Sequence, residues 1–362
     1  MCNSQSLKWG ILGTGWIASK FAQSLKYLPG VCLKAVASRS LESAQAFAQH
    51  MGAHHAYGSY EELVSQDDID VVYVATPHIR HHADCSLALS AGKSVLCEKP
   101  FAMSAFEARE IFEVAKKQDL FCMEAMWMRF IPLIQQVHSL VRKGEIGEIK
   151  LLSADFGYPV PFDPSSRFFN PKLGGGTLLD RGVYPLSLAF LLLGKPVEIS
   201  GQASMSTTGV DEQASIILRY DNGALATLSS TFITYGSNTA TIIGTRGKIE
   251  IHAPFYYPEN ISLTHFPDTT IMQPPPKANL LNHTQNDIKS RFKSTRLFKQ
   301  IRRFKPTSRK TITKVETGYG YHHQVAEVNH CLKLGLRESP MMPWEETIQI
   351  MEVIDFLQKK WS

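Results

Sequence analysis

From Leu7 to Ala125 the chain alternates short apolar runs with stretches whose apolar residues return every three or four positions. The runs 7–12, 31–37, 70–75, 94–97 and 121–125, with a brief one near 53–57, lack a polar face, as strands covered on both sides do. Between them Ala18, Phe21, Ala22 and Leu25 keep helical spacing, as do 41–51, 60–64, a stretch ending at Leu89, and Ala108, Ile111, Phe112 and Ala115 after Ser104, which is placed to cap that helix. Strand–helix alternation of this kind predicts a doubly wound parallel sheet over residues 1–125. From Ile149 the pattern changes. Runs at 150–157, 198–205, 214–220, 224–232, 238–243 and 248–251 follow one another without intervening helices, and Asp221-Asn222-Gly223 and Gly244-Thr245-Arg246-Gly247 read as hairpin turns. One helix, about 177–193, interrupts them after Gly174-Gly175-Gly176. Residues 126–362 are therefore expected to form an α+β domain with a large, mostly antiparallel open sheet, making an α/β protein of two domains.

The first strand runs directly into Gly13-Thr14-Gly15-Trp16-Ile17-Ala18, where a helix opens. This is the dinucleotide fingerprint G-x-G-x-x-A in the strand–turn–helix setting it requires, a Rossmann half-site. Gly13 permits the tight turn, Gly15 lets backbone approach a pyrophosphate, and Ala18 allows close packing of helix on strand. The second strand ends in Ser38-Arg39-Ser40, where NAD-selective chains carry an acid for the ribose 2′-hydroxyl. Arg39 pairs with a 2′-phosphate and the serines can hydrogen-bond it, so NADP is expected ahead of NAD.

Two further strand ends carry chemistry. The run 71–75 ends in Thr76-Pro77-His78-Ile79-Arg80-His81-His82. No carboxylate or cysteine accompanies these histidines at ligand spacing, so no metal is expected there. Thr76, His78 and His81 are assigned to the cofactor's lining and His82 to solvent. The run 94–97 ends in Glu98-Lys99-Pro100. Proline restricts the residue before it, so the Lys99 ammonium is aimed, and Glu98 and Lys99 join the expected cofactor contacts. Beyond the last strand of the first domain stand Trp127 and Arg129; these, with Phe156 and Arg167, are candidates for a substrate wall, core packing being the alternative for Trp127, Phe156 and Arg129. Asp180 and Tyr184, four apart on one helix face, lie beside Gly182, whose place in a helix hints at a close neighbour.

Composition is that of an ordinary globular protein, 44 % apolar and 20 % charged, and no apolar run approaches the length of a membrane span. No N-terminal signal is visible and the six cysteines are scattered without a Cys-x-x-Cys pair, which suggests free thiols, no zinc site and a cytoplasmic location. The net charge of +5 comes from one segment, 277–314, with twelve lysines or arginines against Asp287. After Pro274-Pro275-Pro276 a ragged amphipathic helix is expected over 288–304. A solvated helix is the plainer reading and a membrane surface or other polyanion the alternative. No nucleic-acid module appears.

The fingerprint, Thr76-Pro77, Glu98-Lys99-Pro100, Met123 to Phe130, Gly174 to Asp180, Asp180-x-Gly182-x-Tyr184 and the tail Glu338-Ser339-Pro340 to Pro343 together resemble the glucose–fructose oxidoreductase / inositol dehydrogenase family. Within it the likeness is to the subgroup of dimeric dihydrodiol and NADP-dependent D-xylose dehydrogenases. It covers nearly the whole chain except about 277–314. His78, where the family usually has Asn, and Arg181, where it has an aliphatic residue, depart from it. The resemblance implies that Lys99 and Tyr184 are the catalytic pair with Asp180 beside them, that Lys99-Pro100 is cis, and that the protein dimerises through the open face of the second sheet. It implies hydride transfer between nicotinamide and a ring-borne secondary alcohol: an aldose such as xylose or glucose at C1, a cyclic polyol or a trans-dihydrodiol. A non-catalytic NADP-binding sensor and an NAD-dependent glycosidase are the alternatives. An ammonium about 4 Å from the phenol is worth on the order of 4 kcal/mol, enough to bring Tyr184 from near 10 to about 7.5. Tyr184 is therefore expected as acid/base, Lys99 as its activator and Asp180 as a positioner near Lys99.

Overall fold

The computed structural model describes residues 6–267, 309–316 and 318–361. Strands β1 (Leu7–Leu12), β2 (Val31–Ala37), β3 (His55–Tyr57), β4 (Val71–Val74), β5 (Ser94–Glu98) and β6 (Cys122–Ala125) form one sheet in the order β3-β2-β1-β4-β5-β6. Every pair in it is parallel. The strand order reverses between β1 and β4, which opens a crevice at the carboxyl ends of the strands. Helices α1 (Trp16–Leu25), α2 (Leu41–Met51), α3 (Tyr60–Val64), α4 (His81–Ser90) and α5 (Ala105–Lys117) connect them. Their starts are set by sequence: the hydroxyls of Ser40, Ser59 and Ser104 accept from the amides of Ser43, Glu62 and Glu107. Strands β4 and β5 are buried throughout, as apolar runs with no polar face require.

The second sheet has eight strands: β7 (Ile149–Gly157), β8 (Glu198–Met205), β9 (Asp211–Arg219), β10 (Leu225–Thr231), β11 (Ala240–Gly244), β12 (Gly247–Ile251), β13 (Asn260–His265) and β14 (Arg309–Thr313). Their order is β14-β13-β12-β11-β7-β10-β9-β8, and only the β7–β10 pair is parallel. Helix α6 (Pro132–Arg142) precedes this sheet, and a wide π-helical turn, Leu178–Gly182, leads into α7 (Val183–Leu193) on its inner face. Gly182 has the close neighbour its position implies: a Cβ there would lie 3.0 Å from Leu178 Cδ1 and 3.3 Å from Ser230 Oγ of β10. One described stretch, Pro171–Leu193, is long and apolar enough to cross a membrane, contrary to the expectation of no such run; it is 83 % buried inside the fold and serves as core.

Two helices follow, α8 (Tyr321–Lys333) and α9 (Trp344–Trp361). The last returns to the first domain: Asp355 accepts from the amide of Ala105 at the start of α5, and Trp344 Nε1 donates to Cys122 O at 2.7 Å. The expected helix at 288–304 and most of the basic segment lie outside the described residues; its end forms the edge strand β14. Cys85, Cys97, Cys122 and Cys331 are free and buried, but Cys32 is disulfide-bonded, so the expectation of free thiols fails there.

Candidate active site

At the carboxyl end of the parallel sheet lies a cleft of about 540 Å³. One end is built by the β1–α1 turn. Gly13 takes φ of 107° and its Cα packs so close to β4 that a Cβ would lie 2.6 Å from Ala75 O. A Cβ on Gly15 would meet nothing within 4 Å, since Gly15 faces the open cleft. No side chain caps α1 and no acid stands in its first turn, so no side chain claims its leading amides. Thr14, Trp16 and Ile17 line the same end with Ser38 and exposed Arg39 from the end of β2. Ser40 has another task, capping α2. Thr76 lines the cleft too, and its buried Oγ1 has no hydrogen-bond partner in the protein. Open space at Gly15, free leading amides and an orphaned hydroxyl are what a dinucleotide would fill.

The other end is built from β5, the π-helical turn and the segment after β6. The Lys99–Pro100 bond is cis. Lys99 Nζ donates to Asp180 O at 2.9 Å and to Asp180 Oδ1 at 3.3 Å. Arg167 Nη1 donates to the same Oδ1 at 3.0 Å, and Arg181 Nε lies 3.9 Å from Oδ2. Burial works to raise the Asp180 carboxyl, but Lys99 and Arg167 outweigh it and hold the group well below the usual carboxylate range. Asp180 thus sits where expected, against Lys99. The turn bearing it is fixed from behind by buried Asp211 of β9, which accepts from the amide of Leu178 at 2.6 Å.

Tyr184 differs from its expectation. Its ring centroid is 5.0 Å from Lys99 Nζ and its hydroxyl accepts from Trp127 Nε1 at 3.0 Å. Burial and the charge of Glu98 push its phenol well above the usual value, against the lowering effect of the Trp127 hydrogen bond. The sequence-based estimate let Lys99 act on the phenol alone; here the ammonium is shared with Asp180, and desolvation dominates. Tyr184 is a neutral phenol in this state. Beneath it Glu98 is buried, accepts from Tyr73 Oη and the amide of Lys99, and is pushed up to about 7 by burial.

His78 lines the cleft with Nδ1 3.4 Å from Gly174 O, and burial lowers it to about 3, so the ring is neutral. His81 lies under the cleft between Thr76 O at 2.9 Å and Pro100 O at 2.8 Å, joining the two strand-end turns. The His82 side chain is 35 % exposed to solvent, as expected, and pairs at the surface with Glu110 at 3.1 Å. Trp127 and Arg167 belong to the cleft wall; Phe156 stands behind it, 5.3 Å from the Tyr184 ring and stacked on Tyr256 at 4.4 Å. Arg129 does not belong to the wall. It is fully buried, with Nε on Ser187 Oγ at 2.7 Å, Nη2 on Ser187 O at 2.9 Å and an ion pair to Glu346, so its guanidinium ties the segment after β6 to α7 and α9. Tyr60, Leu173 and Tyr321 line the cleft without having been singled out in the sequence.

The fold and cleft define a dinucleotide-binding oxidoreductase. Residues 7–126 match the oxidoreductase family with an NAD-binding Rossmann fold, and residues 134–250 the GFO/IDH/MocA C-terminal domain. The chain is 35 % identical over 352 residues to trans-1,2-dihydrobenzene-1,2-diol dehydrogenase of Xenopus laevis, covering 96 % of each. The Homo sapiens protein of that name is 30 % identical over 358 residues, 98 % of this chain and 96 % of the relative. The chain belongs to the GFO/IDH/MocA oxidoreductase family. Among solved structures, a 3-ketoreductase from Actinomadura kijaniata in complex with NADP and TDP-benzene superposes with a TM-score of 0.78 at 22 % identity, covering 98 % of this chain and 97 % of that one. An aldose-aldose oxidoreductase from Caulobacter crescentus does so with 0.79 at 22 %, with the same coverage. These two share the fold.

Proposed function

We propose that this chain is an NADP-dependent dehydrogenase that exchanges a hydride with a ring-borne secondary alcohol, a trans-dihydrodiol first, an aldose or cyclic polyol second. The observation that carries the reading is the continuity of one cleft from the Gly13–Ile17 turn and Arg39 to Lys99 and Tyr184. Nicotinamide, when bound, supplies the hydride acceptor or donor. Arg39 and Ser38 hold the 2′-phosphate, and the leading amides of α1 face the diphosphate. In the reducing direction neutral Tyr184 Oη gives its proton to the substrate oxygen; in oxidation it first releases its own proton to water in the cleft and then takes the substrate's, and Trp127 Nε1 stabilises Tyr184 whenever its proton is away. Lys99 donates to the substrate oxygen and Asp180 fixes the direction of Lys99. Trp127, Tyr184 and Tyr321 line the cleft, with the Trp127 centroid 6.3 Å from Tyr184 and 5.0 Å from Tyr321, faces suited to a flat ring; Tyr256 and Tyr257 back Trp127 at 6.2 and 5.8 Å.

A sensor that binds NADP without turnover has no need of this proton path. NADPH formation across a panel of trans-dihydrodiols, aldoses and inositols separates the readings; binding of NADP with no turnover on any of them overturns the dehydrogenase. A homodimer through the outer face of the second sheet is part of the proposal. Leu151, Leu225 and Ile217 are 50 %, 39 % and 48 % exposed there, and Leu151 pairs with Leu225 across β7–β10.

A further inference from the structure

Away from the cleft, the segment joining β14 to α8 gathers three metal-ligating side chains that the proposed chemistry does not use. It meets the first domain where Lys20 Nζ donates to Tyr319 Oη at 2.6 Å and is held to its own domain where Tyr257 Oη donates to Gly318 O at 2.7 Å, and Tyr321 just beyond it lines the cleft. Glu316 on it and His322 and His323 in the first turn of α8 each offer one ligand atom, all within 4.8 Å of one another. The Glu316 side chain is 6 % exposed, and its Oε2 lies 2.8 Å from His323 Nε2. Its other oxygen, Oε1, and His322 Nδ1 are buried without a hydrogen-bond partner. Each such atom carries an unreturned desolvation cost.

We propose that Glu316, His322 and His323 bind a divalent first-row metal ion, zinc by preference, with water completing the coordination. Two imidazoles and a carboxylate are a ligand set zinc accepts. Metal–ligand distances of about 2.0–2.2 Å put tetrahedral ligands roughly 3.3 Å apart, so side-chain rotation of about an ångström closes the group. Two features oppose binding. Lys314 Nζ lies 4.0 Å from Glu316 Oε1, but its side chain is 52 % exposed and can turn to water. The positive end of α8 is also near, and its effect is small beside three coordinate bonds. A bound ion braces the segment that carries Tyr319 and Tyr321 at the rim of the cleft. The proposal does not depend on the catalytic reading, because its test needs no turnover.

The test titrates Zn²⁺ by calorimetry, and Co²⁺ by its visible absorption, into tag-free full-length chain and into Glu316→Gln and the His322→Asn/His323→Asn pair. The expected result is one site per chain with a tetrahedral Co²⁺ spectrum. Its affinity should fall in each variant by at least the roughly 10–100-fold that even outer-shell changes cost. Where the paired variant fails to fold, His322→Asn alone serves, since its Nδ1 has no hydrogen bond to lose. Absence of binding to the natural chain, or equal binding by the variants, overturns the proposal.

Discussion

Trp127→Phe keeps an aromatic ring in the cleft wall and deletes one group, the Nε1–H that lies 3.0 Å from Tyr184 Oη. That bond works against the burial and the Glu98 charge that raise the phenol. A hydrogen bond to a charged group is worth about 1.5–3 kcal/mol, and the phenol acquires charge as its proton moves, so kcat/KM should fall about 10- to 150-fold. The loss must be equal in the oxidising and reducing directions, because a catalyst cannot shift the overall equilibrium. The NADP dissociation constant, read by fluorescence quenching, should hold within about twofold. Combined with Tyr184→Phe the substitution should add little, since both act through one oxygen. Steady-state kinetics in both directions with the best dihydrodiol or aldose provide the assay. A kcat/KM within about twofold of the unsubstituted protein would remove the Trp127–Tyr184 bond from the reaction.

Three more outcomes follow from the same geometry. Arg39→Ala should weaken NADP about 10- to 150-fold and leave NAD nearly unchanged, measured by parallel titrations; an unchanged ratio of the two would take Arg39 out of the site. Glu124, 2 % exposed and held up to about 7 mainly by burial against the pull of Arg129, releases its proton more readily when unfolded, so it costs stability increasingly as pH rises from about 4.5 to 7. Glu124→Gln should therefore be more stabilising at about pH 8 than at about pH 5, by up to about 3 kcal/mol in urea melts; equal effects at both would contradict the burial argument. Ile217→Glu, placed on the outer face of β9, should convert a dimer to monomer in sedimentation runs, and a dimer of unchanged strength would move the interface elsewhere.

Much of the fold was legible because its strands are short and sharply bounded. The strand 31–37 and the helix 41–51 have the bounds that their apolar pattern and the cap at Ser40 indicate. The β13 strand and helices α6, α8 and α9 were not read. β13 alternates apolar residues with serine, threonine and asparagine near the sheet's edge, and α9 carries apolar residues on more than one face, whereas α6 keeps Leu133, Ile134 and Val137 on one face that was there to be read. In the site, the backbone-driven parts were legible: Gly13, Gly15 and the Lys99–Pro100 turn do local tasks that local sequence encodes. Tyr60 and Tyr321 were not, since nothing adjacent distinguishes a tyrosine that topology brings to a cleft. Arg129 and Tyr184 show the other limit. Their partners Ser187, Glu346 and Glu98 are distant in sequence, and those partners decide whether a guanidinium faces substrate or a phenol loses its proton.

The central claim is that Tyr184 passes a proton while an NADP-bound chain oxidises a ring alcohol. Its most direct measurement is single-turnover NADPH formation by the natural chain and by Tyr184→Phe, each saturated with NADP and a trans-dihydrodiol. The account predicts a burst from the natural chain, a rate lower by about 10²- to 10⁴-fold in the variant, and equal NADP affinity for both. A variant that forms NADPH at the natural rate would contradict it.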